Sequence, residues 1–278
     1  MKCKNPNVTK LQSRAVNFVK YASKYGKHGL GLPRNRPYRL LPVTSLEPSL
    51  QMDQGWIDVA INNSGVAATP VMHREDWRIS DLLTRIHPFP DPHNKCVRLA
   101  YDDWFDKSAT ALAERPFGTY GRAQKFLNLY VKYPYCIRRS GATVELPKKS
   151  SFAQVLDFEC ALHAPIDSRV LKKLCCIWRQ TNSWSLVRPI ICKAWSKMNR
   201  NEYWQILWLL RNMVNTVSGQ TTSCGNYASN SLCICNVLHT EIPQTDFAQA
   251  VLAALVDRND DDPIVSVLDL EMRGLWNP

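Results

Sequence analysis

No stretch of this chain is apolar for long enough to cross a bilayer. Every hydrophobic run falls short of the ~18–20 residues a spanning helix needs, which predicts no membrane partner. The opening segment, Met1-Lys-Cys-Lys-Asn-Pro-Asn-Val-Thr-Lys10, lacks the apolar stretch of a signal peptide, so a cytoplasmic protein is expected. No internal repeat is visible, and strand patterns are few and short. Recognisable metal motifs are also missing. Cys224, Cys233, Cys235 and His239 form the one cluster resembling a metal site, but their spacing fits neither a zinc ribbon nor an iron–sulfur run. Asn259-Asp-Asp-Asp262 lacks the alternating ligands and glycine of an EF-hand and reads as a turn and cap. Neither metal nor cofactor is expected, and a metal-dependent nuclease has no carboxylate or histidine cluster to rest on. Cysteine itself is not scarce: there are ten. Cys136, Cys160, Cys175, Cys176 and Cys192 lie within or beside apolar helical patterns, where reduced thiols serve as small core residues and not as a disulfide framework.

What is present is length, charge and aromatic surface. The 278 residues are 45% hydrophobic and 21% charged, the balance of a globular chain able to bury a core. The net charge of +11 favours a polyanionic partner, with nucleic acid ahead of membrane. Nine tryptophans and ten tyrosines add faces on which bases can stack. A helical pattern at 9–25 is followed by a Gly- and Pro-punctuated basic loop at 26–50, which fits either phosphate tracking or a solvated connector. Residues 51–70 are irregular, with an apolar run near Trp56–Ile61. Helices are predicted near 74–86 and 99–114, separated by the Pro-rich break His87–His93. Phe117-Gly-Thr-Tyr-Gly121 reads as a tight connection into a helix at 121–133, with a loop over 134–150. Further helices are predicted near 151–162, 167–181, 186–198, 201–217 and 246–256. The expected fold is mainly α, with an N-terminal region over 1–117 and a helical core over 118–278.

Two segments carry the chemistry. In the helix at 121–133, Ala123, Phe126, Leu127 and Tyr130 recur at i, i+3, i+4 and i+7 and form an apolar face. Lys125, Asn128 and Lys132 lie on the other side, with Lys132 in the last turn before Tyr133-Pro-Tyr135. Periodicity alone reads such a lysine as a dipole partner or a solvated residue. In the second segment, Pro165 disfavours helix at Ala164, and Val170, Leu171 and Leu174 begin a helical pattern. Asp167 is then placed as an N-cap. Plain capping is the simplest reading of it. A capping carboxylate is also rigid and electropositively set, able to stabilise a cationic sugar.

Together these segments resemble the helix–hairpin–helix DNA glycosylase superfamily, in particular its archaeal 8-oxoguanine glycosylase branch. The family's lysine helix reads roughly Phe-Ala-Val-Lys-Met, matched here by Leu129-Tyr-Val-Lys-Tyr133. Its Pro-Val-Asp-x-Arg-Val is matched by Pro165-Ile-Asp-Ser-Arg-Val170, 35 residues on from Lys132 to Asp167. Ala194-Trp-Ser196 followed by Ile206-Leu-Trp-Leu-Leu210 is similar to its C-terminal helix, whose tryptophan stacks on the extruded base. The resemblance covers about residues 118–212. It implies an excision enzyme acting on DNA, expected to be double-stranded with one base flipped out, and a monomer. Trp208 would hold the base, and Lys132 would attack C1′ as a neutral amine to give a Schiff base. Burial beside Lys125 and Arg122 would favour that neutral form. Asp167 would stabilise the oxocarbenium charge, or activate water in an enzyme without lyase activity.

Two pocket positions depart from the family. Trp204 stands where an aspartate is expected, and Cys136 where an aromatic residue is expected. This puts 8-oxoguanine in doubt and suits a bulkier base, such as the glucosylated hydroxymethylcytosine of phage DNA, the target of some bacterial anti-phage glycosylases. His163, four residues before Asp167, reads as a core or surface histidine or as a pocket residue. Arg169, Lys172 and Lys173 fit phosphate contacts and a solvated face equally. The alternatives are an 8-oxoguanine repair glycosylase/lyase and a non-catalytic nucleic-acid-binding module.

Overall fold

The computed structural model describes residues 84–91, 96–140, 155–218, 242–255, 266–271 and 275. The helix expected at 9–25, the basic loop at 26–50, the run near Trp56–Ile61, most of the helix expected at 74–86, the cluster of Cys224, Cys233, Cys235 and His239, and the Asn259–Asp262 turn lie outside the described residues. Those that are described form helices and turns, with no strand among them, so the described part of the chain is mainly α. They belong to two compact units. One draws on Met1–Gly118 and Arg122–Ala161, the other on Thr119–Gly121 and Leu162–Pro278.

The first unit begins with helix α1, Val97–Leu112. Tyr101, Trp104, Phe105, Ser108 and Leu112 recur at helical spacing and are all buried, which is why this stretch coils and which face it hides. Phe89, from the Pro-rich break, packs on Trp104 at 4.5 Å and on Phe158 at 5.1 Å. The Trp104 indole N–H donates to the His87 carbonyl at 2.7 Å, and the His87 amide donates to Ser108 Oγ at 3.1 Å. These bonds pin the break to α1. A wide turn, Ala113–Phe117, leads to Gly118, whose φ of 70° is left-handed and suits glycine.

Helix α2 runs over Tyr120–Ser140. It therefore continues through Pro134 instead of ending near 133, and its last turns replace the start of the loop expected at 134–150. Proline removes one backbone donor, but Tyr135 just beyond it is buried and donates its hydroxyl to Glu159 Oε1 at 2.8 Å. Tertiary packing outweighs the local break. Of the helix expected at 151–162, residues 151–154 lie outside the described residues, and Val155–Ala161 form a 3-10 segment in place of an α-helix. Cys160 on it is only half-buried and is disulfide-bonded, which corrects the expectation of a reduced core thiol there.

The second unit starts with the extended segment 162–167, then helix α3, Ser168–Trp178, and helix α4, Trp184–Ile191. Helix α5 spans Arg200–Ser218, α6 Gln244–Leu255 and α7 Val267–Leu270. Helix α3 packs on α4 and α6, and α5 packs on α4, α6 and α7. The centre is an edge-to-face series in which Phe247 meets Trp178 at 5.3 Å and Trp208 at 5.9 Å. Buried Asp246 accepts hydrogen bonds from the Ser183 amide at 2.8 Å and the Ser183 hydroxyl at 2.6 Å, tying α6 to the start of α4.

A single helix over 186–198 does not form. Helix α4 stops at Ile191, Cys192 leaves helical geometry, and a short 3-10 turn occupies Trp195–Lys197. The reason is what these residues meet. The Gly121 amide donates to the Met198 carbonyl at 2.8 Å, and Thr119 Oγ1 donates to the Ser196 carbonyl at 2.7 Å. A Cβ at Gly121 would collide with the Trp195 carbonyl oxygen, so glycine is required for this approach. Helix α5 begins with a reciprocal cap: Asn199 Oδ1 accepts from the Glu202 amide, and Glu202 Oε2 accepts from the Asn199 amide, both at 2.9 Å. Partial burial works to raise the Glu202 carboxyl, but the Lys193 ammonium at 2.7 Å and the Asn199 amide outweigh it and hold it below its ordinary range.

Candidate functional site

Asp167 caps α3. Its extended backbone turns the carboxylate back onto the helix start, where Oδ1 accepts from the Arg169 amide at 2.8 Å and the Val170 amide at 3.2 Å. The residue is half-buried, and Ser168 and Arg169 beside it are exposed. A carboxylate so held is fixed in direction, sits at the positive end of the helix dipole, and remains reachable from solvent. The sequence leads here directly. Pro165 keeps 162–167 extended, and the apolar pattern from Val170 onward begins the helix.

Four residues upstream, His163 is buried within the same extended segment. Its Nδ1 lies 2.9 Å from the Tyr203 hydroxyl, and its Nε2 lies 3.0 Å from an Arg211 guanidinium nitrogen. Arginine has only donors. Nε2 must therefore accept, Nδ1 carries the ring proton, and the imidazole is neutral with its tautomer set by Arg211. The Trp204 ring meets the imidazole edge-on at 5.7 Å and is itself half-exposed. The second unit thus assembles, on α5 and the segment before α3, a neutral histidine, a phenol, a half-buried guanidinium and an aromatic face. The expectation that His163 is either a core residue or a pocket residue resolves in geometry: it is buried and fully engaged, with Trp204 at its edge. Tyr203 and Arg211 were missed. Their signal was present, because Trp204 and Arg211 stand at i and i+7 on one helix and share a face.

Trp208 is buried, with its ring edge-to-face with Phe247. It belongs to the α5–α6 core, whereas Trp204, one turn earlier, offers the more open ring. Lys132 belongs to the first unit and Asp167 to the second. Lys132 is 2% exposed, which sets aside the solvated residue that periodicity alone reads there. Helix α2 is enclosed on more than its apolar face. Gln124, Asn128 and Lys132 are all buried, and Asn128 donates to Gln124 Oε1 at 3.1 Å. Arg122 and Lys125 on α2 are half-buried, with Arg122 reaching the Phe117 carbonyl at 3.5 Å. On α3, Arg169 and Lys172 are exposed and Lys173 is half-buried. Cys136 lies on α2, but its side chain is outside what is described.

Among the described residues no group of three or more His, Cys, Asp or Glu converges as a metal site would require, and no helix is long and apolar enough to cross a membrane. No family model, curated protein or solved structure matches the chain.

Proposed function

We propose that this chain is a DNA N-glycosylase of the helix–hairpin–helix type, which extrudes a modified base and cleaves its bond to deoxyribose to leave an abasic site. The observation that carries this reading is Asp167. Its carboxylate is locked by two backbone amides at a helix start, four residues beyond His163, which bonds Tyr203 and Arg211 of α5. Breaking a base–sugar bond builds positive charge on C1′ and its ring oxygen. A fixed anion stabilises that charge without reorganising, and an oriented carboxylate also directs water at C1′. Trp204 supplies a ring for the extruded base to lie against, and Arg211, oriented by His163, supplies donors for its edge. Arg169 and Lys172, exposed beside the carboxylate, suit the phosphates flanking the extruded nucleotide. The net charge of +11 fits a DNA partner.

Under this reading Lys132 adds lyase chemistry. Its amine attacks C1′ as the bond to the base breaks, the base leaves carrying a proton from the amine, and cleavage of the C1′–O4′ bond then opens the sugar and gives the Schiff base. The narrower proposal for the base is a glucosylated hydroxymethylcytosine, because Trp204 and Cys136 replace the carboxylate and aromatic ring of the 8-oxoguanine branch. A second reading, a nucleic-acid-binding module without catalysis, draws on the ordinary capping geometry of Asp167. The deciding experiment incubates the protein with DNAs containing 8-oxoguanine, uracil, hydroxymethylcytosine or its glucosylated forms, and detects freed base by mass spectrometry. Release that falls at least ~100-fold in Asp167→Asn is expected, in line with the loss of one preorganised electrostatic group. A borohydride-trapped adduct absent from Lys132→Gln would assign the amine. DNA binding with no release from any substrate would leave the binding module.

A further inference from the structure

Cys175, in the third turn of α3, and Cys192, at the end of α4, bring their sulfurs within 3.0 Å of each other. Neither is in a disulfide. A disulfide bond is about 2.05 Å long, so closure needs roughly an ångström of movement. The helices that carry the two thiols are packed against each other, which keeps the sulfurs together. Their surroundings differ: Cys192 is exposed, while Cys175 is half-buried. The Cys175 thiol is pushed up to about 12, first by burial and then by its Cys192 neighbour, whereas Cys192 faces solvent and is the sulfur an oxidant reaches first. Cys176, next in sequence, is exposed. Nothing in the proposed excision chemistry uses these thiols, and the chain already holds one disulfide at Cys160.

We propose that Cys175 and Cys192 are a reversible redox modification site that closes to an intramolecular disulfide when a peroxide reaches Cys192. Cys192 Sγ attacks one peroxide oxygen, the O–O bond breaks, and the departing hydroxide leaves as water with the thiol's proton. Cys192 is then a sulfenic acid. Cys175 Sγ attacks that sulfur, the S–S bond forms, and the S–O bond breaks. The second hydroxide takes the Cys175 proton and leaves as water. The two sulfurs together lose two electrons and the peroxide oxygens gain them. Dithiothreitol reverses the change by thiol–disulfide exchange. Closure cross-links α3 to α4 across 17 positions, in the half of α3 away from Asp167.

The test uses the full chain, treated with a few equivalents of hydrogen peroxide, alkylated, digested with trypsin and read by mass spectrometry. The expected result is a peptide carrying Cys175 and Cys176 linked to the one carrying Cys192. The link should disappear with dithiothreitol, persist in Cys176→Ser and vanish in Cys175→Ser. Unfolding of the oxidised wild type should move up by ~5 °C or more, as expected for a loop of this length. Alkylation at both Cys175 and Cys192 after oxidant would overturn the inference, as would a link made through Cys176 or Cys192 ending as a sulfinate. None of these outcomes depends on excision activity, so this inference can fail while the glycosylase reading stands, and the reverse.

Discussion

Asp167 holds two roles that separate cleanly by substitution. Asparagine keeps a side-chain oxygen able to accept from the Arg169 and Val170 amides, whereas alanine keeps none. Asp167→Asn should therefore unfold close to the wild type, and Asp167→Ala should lose about 1 kcal/mol, measured by urea denaturation. Any further loss of base release in Asp167→Asn then reports the charge and not the fold. Gly121 gives a harsher prediction. With the Trp195 carbonyl where its Cβ would be, Gly121→Ala should destabilise by ~1–3 kcal/mol, the range for overpacked sites. An unchanged melting temperature would mean that 195–198 does not approach α2 as described. At this scale the sequence was legible where a residue's role is local. The capping of Asp167 follows from Pro165 and the pattern after Val170. The role of Gly121 was not legible, because the carbonyl it admits lies 74 positions away along the chain.

The elements follow the same division between local and long-range causes. Helices α5 and α6 were readable from apolar spacing almost to their ends. Helix α2 was not, because Pro134 is a local stop signal and the Tyr135–Glu159 bond that overrides it links residues 24 apart. Helix α4 ends early because residues 192–198 are taken up in meeting Thr119–Gly121, again a contact no window of sequence contains. The capping box of α5, Asn199 with Glu202, was legible in form though unremarked. It predicts a pH effect. Glu202 is held below its ordinary range, so its contribution is present above about 4.5, the ordinary glutamate value, and is lost as pH falls through the lower folded value. Because the pair with Lys193 is partly solvated, the effect is a few tenths of a kcal/mol. It should appear as a difference between wild type and Glu202→Gln that shrinks on acidification, followed by thermal melts from pH 6 to pH 3. A difference that grows on acidification would contradict the assignment. Asp246 should matter more. It is buried and satisfies two donors on Ser183, so Asp246→Ala should cost about 2–3 kcal/mol and loosen the start of α4. Equilibrium denaturation reads the first, and amide exchange at residues 184–187 reads the second.

For the whole molecule, the helical class was readable from the lack of strand patterns and the repeated 3.6-residue spacing. The partition into units was not, because it runs through a single helix, with Tyr120 and Gly121 grouped apart from the rest of α2. The candidate site was legible in part. Asp167, His163 and Trp204 were singled out on the sequence, but Arg211, which sets the histidine's tautomer, shows there only its i+7 spacing from Trp204, and only the structure brings it to His163. The central claim is that a fixed carboxylate on a basic helical protein breaks a base–sugar bond. The measurement that tests it most directly is mass-spectrometric detection of free base from duplexes carrying glucosylated hydroxymethylcytosine, 8-oxoguanine or uracil, with wild type and Asp167→Asn side by side. The account predicts release by the wild type from at least one of them, and at least ~100-fold less by Asp167→Asn. Equal release by both proteins, or DNA bound with every base intact, would contradict it.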